Sequence, residues 1–463
     1  MQVTVSNNIK ITDPSSEIIT WCQNNLKLPN PDYAKKIRMG FYVGSTPKEL
    51  RLYEIHGNEW VLPYGCLKAL TPMLKDAVVW SEFKPSVSVD YGEPIPLYPY
   101  QETAVKEVFS GLYGILQSPC GSGKTRCGLA LIKRYGKRAL WLTHTSDLLR
   151  QSKSAAEEFY DKNLLGTITE GKVDIGEGIT FATVQTMCKL DLSQYKHYWD
   201  VIVVDECHRV CGRPTQLSMF SKVLNSLSAR HKYGLSATVH RADGMIKATF
   251  ALIGDVIYTV PDEAIADRVM KVGIKPIGTG VGISRECLNT DGTLNYAKLI
   301  NYLCEDMCRN TLIRNHIIRE SDKSCLILSD RLEHLETLMS LIPSHLRDKA
   351  VMISGKMTTK KGKEERAKAL EDMRSGEKKY LFATYSLCKE GLDIPRLERL
   401  FLTTPQSDYA VITQSIGRIA RTFEGKADPI VYDFVDNIGY LQKRYKKRCA
   451  TYKKNDCYFT EDE

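Results

Sequence analysis

Ser118-Pro-Cys-Gly-Ser-Gly-Lys-Thr125 follows the apolar run Tyr113-Gly-Ile-Leu-Gln117 and opens a helix-like segment, Arg126 to Arg134. Apolar strand, glycine-rich turn and helix in that order read as a phosphate-binding loop. Gly121 and Gly123, on either side of Ser122, let successive backbone N–H groups turn inward onto phosphate oxygens. The new helix offers its positive end to the same anion. Lys124 is placed to reach β- and γ-phosphates, and the Thr125 hydroxyl to ligate Mg2+. The usual pattern asks for glycine four residues before Ser122, where this chain has Ser118. That departure is harmless if φ stays negative there.

The alternation of apolar strand and helix-length segment continues outward. Ala139-Leu-Trp-Leu142, Gly178-Ile-Thr-Phe-Ala-Thr183, Val201-Ile-Val-Val204 and Lys232-Tyr-Gly-Leu-Ser236 come next. Strands apolar throughout predict a parallel sheet covered on both faces, with ligands beyond the carboxyl ends of its strands. A polar stretch with Gly273, Gly278, Gly280 and Gly282 is expected to be a bridge. Beyond it the strands resume at Cys325–Leu328, Ala350–Ile353, Lys379–Ala383, Arg399–Leu402 and Ile430–Asp433. This second sheet lacks a phosphate-binding loop, so one nucleotide site shared by two α/β domains is expected. Near the start, Gln2–Val5 and Ile9–Ile11 alternate as strands, and Asp13-Pro14 begins a helix over Ser15–Leu26. Leu50–Ile55 and Glu59–Leu62 flank a His56-Gly57-Asn58 turn, and Pro85, Pro94, Pro96 and Pro99 mark a linker. The predicted fold is α/β. A small α+β N-terminal domain covers 1–93, two parallel-sheet domains cover 94–260 and 261–438 in tandem, and a basic helix with an acidic tail covers 439–463.

At 463 residues, 43% hydrophobic and 26% charged, the chain has the composition of an ordinary globular protein. No apolar run approaches a membrane span, and Met1-Gln-Val-Thr-Val-Ser-Asn lacks the regions of a signal peptide, so a cytoplasmic protein without a membrane partner is expected. The 14 cysteines include no CxxC pair; Cys207/Cys211, Cys304/Cys308 and Cys449/Cys457 stand further apart. Reduced, mostly buried thiols are expected rather than a zinc or iron–sulfur site. The net charge of +9 is uneven. Seven basic residues and no acidic one lie between Gly439 and Lys454, whereas the first 97 residues carry ten of each sign. Attraction for a polyanion is therefore concentrated near the C-terminal end, where Leu441, Tyr445 and Tyr452 would pack inward and lysines such as Lys443 and Lys447 face out toward a nucleic-acid backbone.

Val201-Ile-Val-Val-Asp-Glu-Cys-His208 sets two carboxylates just beyond an apolar strand. Asp205 suits Mg2+ held through water, and Glu206 can orient and deprotonate the water that attacks a γ-phosphate. His208 on its own is more often a packing residue or a hydrogen-bond partner than an actor.

On these residues the chain resembles the superfamily-2 helicases of the DEAD/DEAH-box kind, with Asp-Glu-Cys-His as the box. Leu97-Tyr-Pro-Tyr-Gln101 resembles the Q motif, Thr143-His-Thr-Ser-Asp-Leu-Leu-Arg-Gln151 motif Ia, and Thr183-Val-Gln-Thr186 the later strand-contacting motif of the first domain. Ser236-Ala-Thr238 matches motif III, Leu326–Arg331 motif IV, Ala383–Pro395 motif V and Gln414-Ser-Ile-Gly-Arg-Ile-Ala-Arg421 motif VI. The likeness spans residues 97 to 440. Within the superfamily, Leu97–Gln101 and Gly234–Gly244 resemble the XPB and UvsW branch of DNA helicases. That branch has Arg-Glu-Asp where this chain has Arg241-Ala242-Asp243, and it carries a DNA-sensing domain where this chain has residues 1–93.

The resemblance implies two RecA-like domains and a set of roles. Gln101 would read adenine. Arg418 and Arg421 would be delivered from the second domain to stabilise charge on the transferring phosphoryl group, an effect on the order of a thousandfold or more in rate. Gly391 and Asp393 would lie at the nucleotide and couple closure to the bound strand. His208, Ser236, Thr238 and Gln414 would transmit that coupling. Thr143, Thr183, Thr186, Arg241, Ser329 and Thr384 would touch the strand, mostly at phosphate and sugar because a motor must pass over any sequence. The expected function is an ATP-dependent DNA helicase or double-strand translocase using ATP and Mg2+, with 3′-to-5′ polarity, acting on single-stranded, duplex or forked DNA in repair, recombination or replication. RNA as the track stays open. So does service as the motor of a restriction, repair or defence assembly with a nuclease partner. A monomer when free, in a bacterial or phage-infected cytoplasm, completes the expectation.

Overall fold

The computed structural model describes residues 1–74, 77–84, 87–119, 121–211, 214–239, 244–355, 357, 359–388, 392 and 394–460. The chain divides into two compact units, Met1–Ala264 and Ile265–Glu463.

The first unit begins with a five-stranded sheet in the order Glu54–His56, Glu59–Pro63, Asn8–Thr12, Gln2–Val5, Val78–Ser81. Alternation along the first two strands in the chain turns Val3, Val5, Ile9 and Ile11 inward, where they meet Ile18 and Cys22 of the helix Ser16–Asn25. Ser15 starts that helix by accepting the Ile18 N–H. The hairpin around Gly57 is present, but the run Leu50–Ile55 is two strands rather than one. Glu49–Arg51 pairs with Lys27–Pro29, and Glu54–His56 pairs with Glu59–Pro63. The break falls at Leu52, whose N–H bonds to Leu26, and Tyr53, whose ring stacks on Trp60 at 5.0 Å.

The turn Tyr64–Cys66 that follows the small sheet packs on the helix Ile246–Ile253. Gly65 lies so close that a Cβ there would meet the Phe250 carbonyl oxygen at 2.4 Å. Lys232, fully buried, donates to the Asn7 oxygen at 3.0 Å and the Leu224 oxygen at 2.8 Å. Burial pushes this amine down to about 7. The unfolded chain, with its lysine near the ordinary value, binds more protons than the folded chain from there upward. Stability is therefore expected to rise with pH between about 7 and 10, by up to about 1.4 kcal/mol per pH unit from this group. Chemical denaturation at pH 7 and 9 should show that slope in the native chain and its loss in Lys232→Met; equal slopes would assign it elsewhere.

The large sheet of the first unit has eight strands in the order Lys172–Asp174, Leu165–Thr169, Ile179–Thr183, Ala139–Thr143, Val201–Val204, His231–Ser236, Tyr113–Gln117, Val256–Thr259. All pairings are parallel except that of the first strand. Val201–Val204 is buried throughout, as a strand covered on both faces must be. The register pairs Gln117 with Ser236 and Val204 with Leu142 and Gly234. The turns after residues 117, 143, 204 and 236 thus leave one edge of the sheet side by side.

Among the described residues the second unit holds seven strands, all parallel, in the order Ala350–Ile353, Tyr380–Thr384, Cys325–Ser329, Arg399–Leu402, Ile430–Val435, Gly273–Gly278, Tyr458–Phe459. The glycine-rich stretch expected to be a bridge therefore begins as a strand, with Ile274 fully buried. Its Pro276 is tolerated because the neighbouring edge strand pairs only with Gly273 and Ile274, leaving no partner for the missing N–H. The C-terminal helix Gly439–Lys454 lies on this sheet with Leu441, Arg448, Thr451 and Tyr452 buried. Leu441 and Tyr452 pack inward as expected. Arg448, one of the seven cations counted in this segment, is drawn in by Asp433 through a bidentate pair at 2.8 Å on each arm, and the Tyr452 hydroxyl donates to the same carboxylate at 2.7 Å.

Candidate active site

Gly121 and Gly123 adopt φ of 84° and 76°. Gly123 is the residue before the helix Lys124–Tyr135, which starts without a side-chain cap. A Cβ on Gly123 would lie 2.5 Å from Gln101 Nε2, so both conformation and space require glycine. Ser118 keeps a negative φ, the condition under which it can replace the usual first glycine. It adds a contact that glycine cannot make, donating from Oγ to Ser122 Oγ at 2.5 Å, while its N–H bonds the Ser236 oxygen at 2.9 Å. Lys124 Nζ lies 3.3 Å from the carbonyl oxygens of Ser118 and Pro119. Thr125 stands in the first helical turn.

Gln101 is buried against this loop with both ends engaged. Its Oε1 accepts the Tyr98 N–H at 3.0 Å, and its Nε2 donates to the Ser122 oxygen at 2.9 Å, where the Tyr100 hydroxyl also donates at 3.0 Å. The side chain expected to read a base thus clamps the loop to the helix Pro99–Ser110.

At the end of Val201–Val204, Asp205 is buried and accepts from Ser152 Oγ at 3.1 Å and from the Glu206 N–H at 2.9 Å. Burial, then the adjoining Glu206 charge, raises it to about 6, against the pull of Lys124. Glu206 takes a left-handed backbone, φ 48° and ψ 50°, a conformation that costs a non-glycine residue about 1 kcal/mol or more. Such strain persists where the surrounding structure holds it, and function-bearing turns are where it gathers. His208 Nδ1 lies 3.2 Å from Glu206 Oε2 and 3.0 Å from Ser236 Oγ. Ser236 Oγ in turn donates to the Thr238 oxygen at 2.6 Å and accepts the Thr238 N–H at 3.2 Å. Three of the four residues expected to couple the site are therefore one hydrogen-bonded chain. Nearby His144 is held down to about 3 by burial, then by Arg209 and His208, and is neutral.

These residues fit a nucleoside triphosphate with a divalent ion. An uncapped helix start and two left-handed glycines form the backbone cradle that polyphosphate requires. Two adjoining carboxylates, one buried and raised, need a compensating cation. Among the described residues no group of three or more His, Cys, Asp and Glu is placed to hold a metal. Mg2+ accords with that, since it is ordinarily bound through one or two carboxylates, waters and substrate phosphates.

In the second unit, Gln414 is buried in the helix Tyr409–Ile419, Arg418 lies in its last turn and Arg421 just beyond. Lys426 Nζ donates to the oxygens of Ile419 and Arg421 at 2.6 Å each and of Pro395 at 3.1 Å, fixing the helix end. Gly391, Asp393 and Arg241 lie outside the described residues.

The hydroxyls expected on a strand are mostly spent internally. Thr143, Thr183, Thr186 and Ser329 are buried. Thr143 Oγ1 donates to the Thr145 oxygen, Thr183 to Thr186 Oγ1, and Ser329 Oγ meets His334 Nδ1 at 3.0 Å. Thr384, bonded to Ser386 Oγ at 2.9 Å, is partly exposed. Lys443 and Lys447 are exposed on the C-terminal helix, in line with Lys446, Lys453 and Lys454. Ser152 and Tyr100 were not expected at the site. Ser152 sits mid-helix in Ser146–Glu157, where only the fold brings it to Asp205. Tyr100 had a signal, its place beside Gln101.

Residues 94–241 match the family model for the res subunit of type III restriction enzymes, and residues 308–423 match the helicase conserved C-terminal domain. The protein L396 of Acanthamoeba polyphaga mimivirus, named as a candidate ATP-dependent RNA helicase, is 26% identical over 77% of this chain and 67% of its own length. The DNA 3′-5′ helicase XPB of Kineococcus radiotolerans is 26% identical over 61% of this chain and 49% of its own length. Among solved structures, S. cerevisiae Dbp5 bound to RNA and ADP BeF3 superposes at a TM-score of 0.55 with 18% identity, covering 86% of this chain and 93% of that one, which is a likeness of fold. The chain belongs to the superfamily-2 helicases, related to the XPB type, and is an ATP-dependent nucleic-acid helicase with RecA-like parallel sheets.

Proposed function

We propose that the chain is a DNA translocase that turns ATP hydrolysis into 3′-to-5′ movement along, or unwinding of, duplex and branched DNA. The hydrogen-bonded chain from Glu206 through His208 and Ser236 to Thr238 carries the proposal, because it links the carboxylate suited to activate water with a turn on the neighbouring strand of the sheet edge. A change at either end is passed on by a switch of partners at His208.

Lys124 neutralises β- and γ-phosphate oxygens, and Gln101 keeps the loop in shape for them. Thr125 and Asp205 would hold Mg2+, which would supply further charge neutralisation at the phosphates. Glu206 orients the attacking water and takes its proton. Arg418 and Arg421 stabilise the charge spread over the transferring group. Backbone amides in the turns built by Thr143, Thr183, Thr186 and Ser329, together with the Thr384 hydroxyl, grip sugar and phosphate, and Lys443 and Lys447 extend that grip. The XPB relative favours DNA as the track.

Two other readings have an observation behind them. The name of the mimivirus relative favours RNA, and the restriction-subunit model favours a motor within a larger assembly. ATPase rates with single-stranded DNA, duplex, forked DNA and RNA at two salt concentrations separate the DNA reading from the RNA one. Stimulation by duplex or fork above RNA is expected; stimulation by RNA alone would overturn the DNA reading. In the same series, replacing Lys443 and Lys447 together by Ala is expected to reduce the slope of log K against log salt by about 1 to 2, since each phosphate contact contributes roughly 0.9. An unchanged slope would remove both lysines from the interface.

A further inference from the structure

Between Asn30 and Lys48 the chain leaves the two-stranded pair of Lys27–Pro29 with Glu49–Arg51 and returns to it. The base is closed by the Asn30 N–H on the Lys48 oxygen at 3.0 Å and by Asn30 Nδ2 on the Pro47 oxygen at 2.8 Å. Halfway up, Lys36 Nζ donates to Thr46 Oγ1 at 2.6 Å, joining the helix Pro31–Arg38 to the returning limb of the excursion. Above that tie the apolar side chains point outward. Ile37 is 58% exposed, Met39 53%, Phe41 61% and Tyr42 90%, and among the described residues no large apolar side chain is more exposed than Tyr42. Tyr42 lies over Gly44, at 3.5 Å from where a Cβ would stand, with Gly44 at φ +52°.

A fold gains nothing by fixing four large apolar groups in water, so a cluster of this kind marks a surface that something covers. Charge identifies the occupant. From residue 31 to residue 48 the excursion carries Lys35, Lys36, Arg38 and Lys48 against the single carboxylate of Asp32, although the first 97 residues as a whole are balanced. Two adjacent aromatic rings and a methionine, flanked by cations on a braced loop, are the complement of unpaired bases on a phosphate backbone. Rings stack on any base face, and the cations meet the phosphates between them. A duplex, whose bases are already stacked, offers such rings much less.

We infer that the excursion 31–47 is a second nucleic-acid contact, in which Phe41 and Tyr42 stack on unpaired bases and Lys35 and Arg38 meet the adjoining phosphates. The inference rests on the translocase reading for the presence of a nucleic acid. It goes beyond that reading by placing, outside the motor motifs, a contact that prefers single-stranded ends and fork junctions over blunt duplex.

The test uses the full chain with a non-hydrolysable ATP analogue and fluorescein-labelled oligo-dT, forked DNA and blunt duplex. Replacing Phe41 and Tyr42 together by Ala is expected to weaken binding of oligo-dT and fork roughly ten-fold or more, with about two-fold or less change for blunt duplex. ATPase without nucleic acid should be unchanged, since neither residue belongs to the nucleotide site. Tyr42→Trp is expected to keep the affinity, and its added emission to be quenched on addition of oligo-dT. Unchanged affinities, an equal loss on blunt duplex, or unquenched emission from the Tyr42→Trp variant would each overturn the stacking contact. So would DNA binding that survives while the Ala pair abolishes co-sedimentation with anionic vesicles or self-association. If the unaltered chain binds none of the three DNAs, the translocase reading fails and this contact with it. Normal binding by the unaltered chain with no effect of the Ala pair sinks the contact alone.

Discussion

Glu206→Gln is expected to lower the nucleic-acid-stimulated ATPase rate by about a thousandfold or more while the protein unfolds at its usual temperature. The amide keeps the size and hydrogen-bonding reach of the carboxylate but cannot take a proton from water. Lys124→Ala is expected to match it for a different reason, loss of the charge that meets the phosphates. Neither change touches a core: Lys124 is partly exposed and makes two long bonds of 3.3 Å to its own loop, and Glu206 sits at a turn. A third variant separates chemistry from folding. Because Glu206 holds a left-handed backbone beside the buried Asp205 charge, Glu206→Gly relieves strain and repulsion together. It should unfold within about 1 kcal/mol of the native chain, since the relief of strain offsets the entropy of glycine. Its ATPase should nevertheless be lost. A residue that weakens the fold and abolishes turnover when replaced is structural; one whose removal spares or strengthens the fold is kept for its chemistry. Steady-state ATPase with saturating DNA and thermal unfolding of the three variants decide this. Turnover within about ten-fold of normal in Glu206→Gln would remove it as the base.

The nucleotide loop, the Asp205-Glu206 turn and the Ser236–Thr238 turn were legible because the chemistry fixes residue types that are adjacent in sequence. Gly121 and Gly123 must be glycine to reach positive φ, and Asp205 must follow an apolar strand to stand at its carboxyl end. Contacts that depend on what the fold brings near were not legible. Nothing in the sequence ties Ser152 to Asp205, or shows that Gln101 would have both ends engaged by Tyr98 and Ser122. The strand-facing threonines were chosen by position in motifs, yet burial turned four of the five hydroxyls inward to build the turns. Gly273 to Gly278 was read by its glycines, whereas Val272 and Ile274, buried in the core of the second sheet, decide that it is a strand. Charge was misread for the same reason. A count of cations along Gly439–Lys454 cannot tell that Arg448 has a carboxylate waiting on another element. Nor does sequence distance reveal that Arg309 and Asp436 form a second buried pair at 2.8 Å.

The Arg448–Asp433 pair is where the largest loss of stability is expected. Asp433→Ala leaves a guanidinium buried with the Gln406 oxygen at 3.0 Å among its few remaining partners, and removes the acceptor of the Tyr452 hydroxyl. Breaking a buried pair from one side costs about 3–5 kcal/mol, because the surviving charge is no longer compensated. For a unit of this size that corresponds to a fall of roughly 10 °C in the unfolding transition of the second unit. Arg448→Met in the same chain as Asp433→Ala should recover a large part of the loss, since it deletes the stranded charge along with its partner. Lys443→Ala and Lys447→Ala, on the exposed side of the same helix, should change stability by about 0.5 kcal/mol or less while lowering the salt dependence of DNA binding. The helix would then divide its cations, Arg448 and Arg444 holding it to the second unit and Lys443 and Lys447 facing a phosphate backbone. Calorimetry on the single and double variants reads the first half of this and binding at two salt concentrations the second. If Asp433→Ala moves the transition by less than about 2 °C, or the added Arg448→Met deepens the loss, the apolar contacts of Leu441 and Tyr452 hold the helix and the ion pair is incidental.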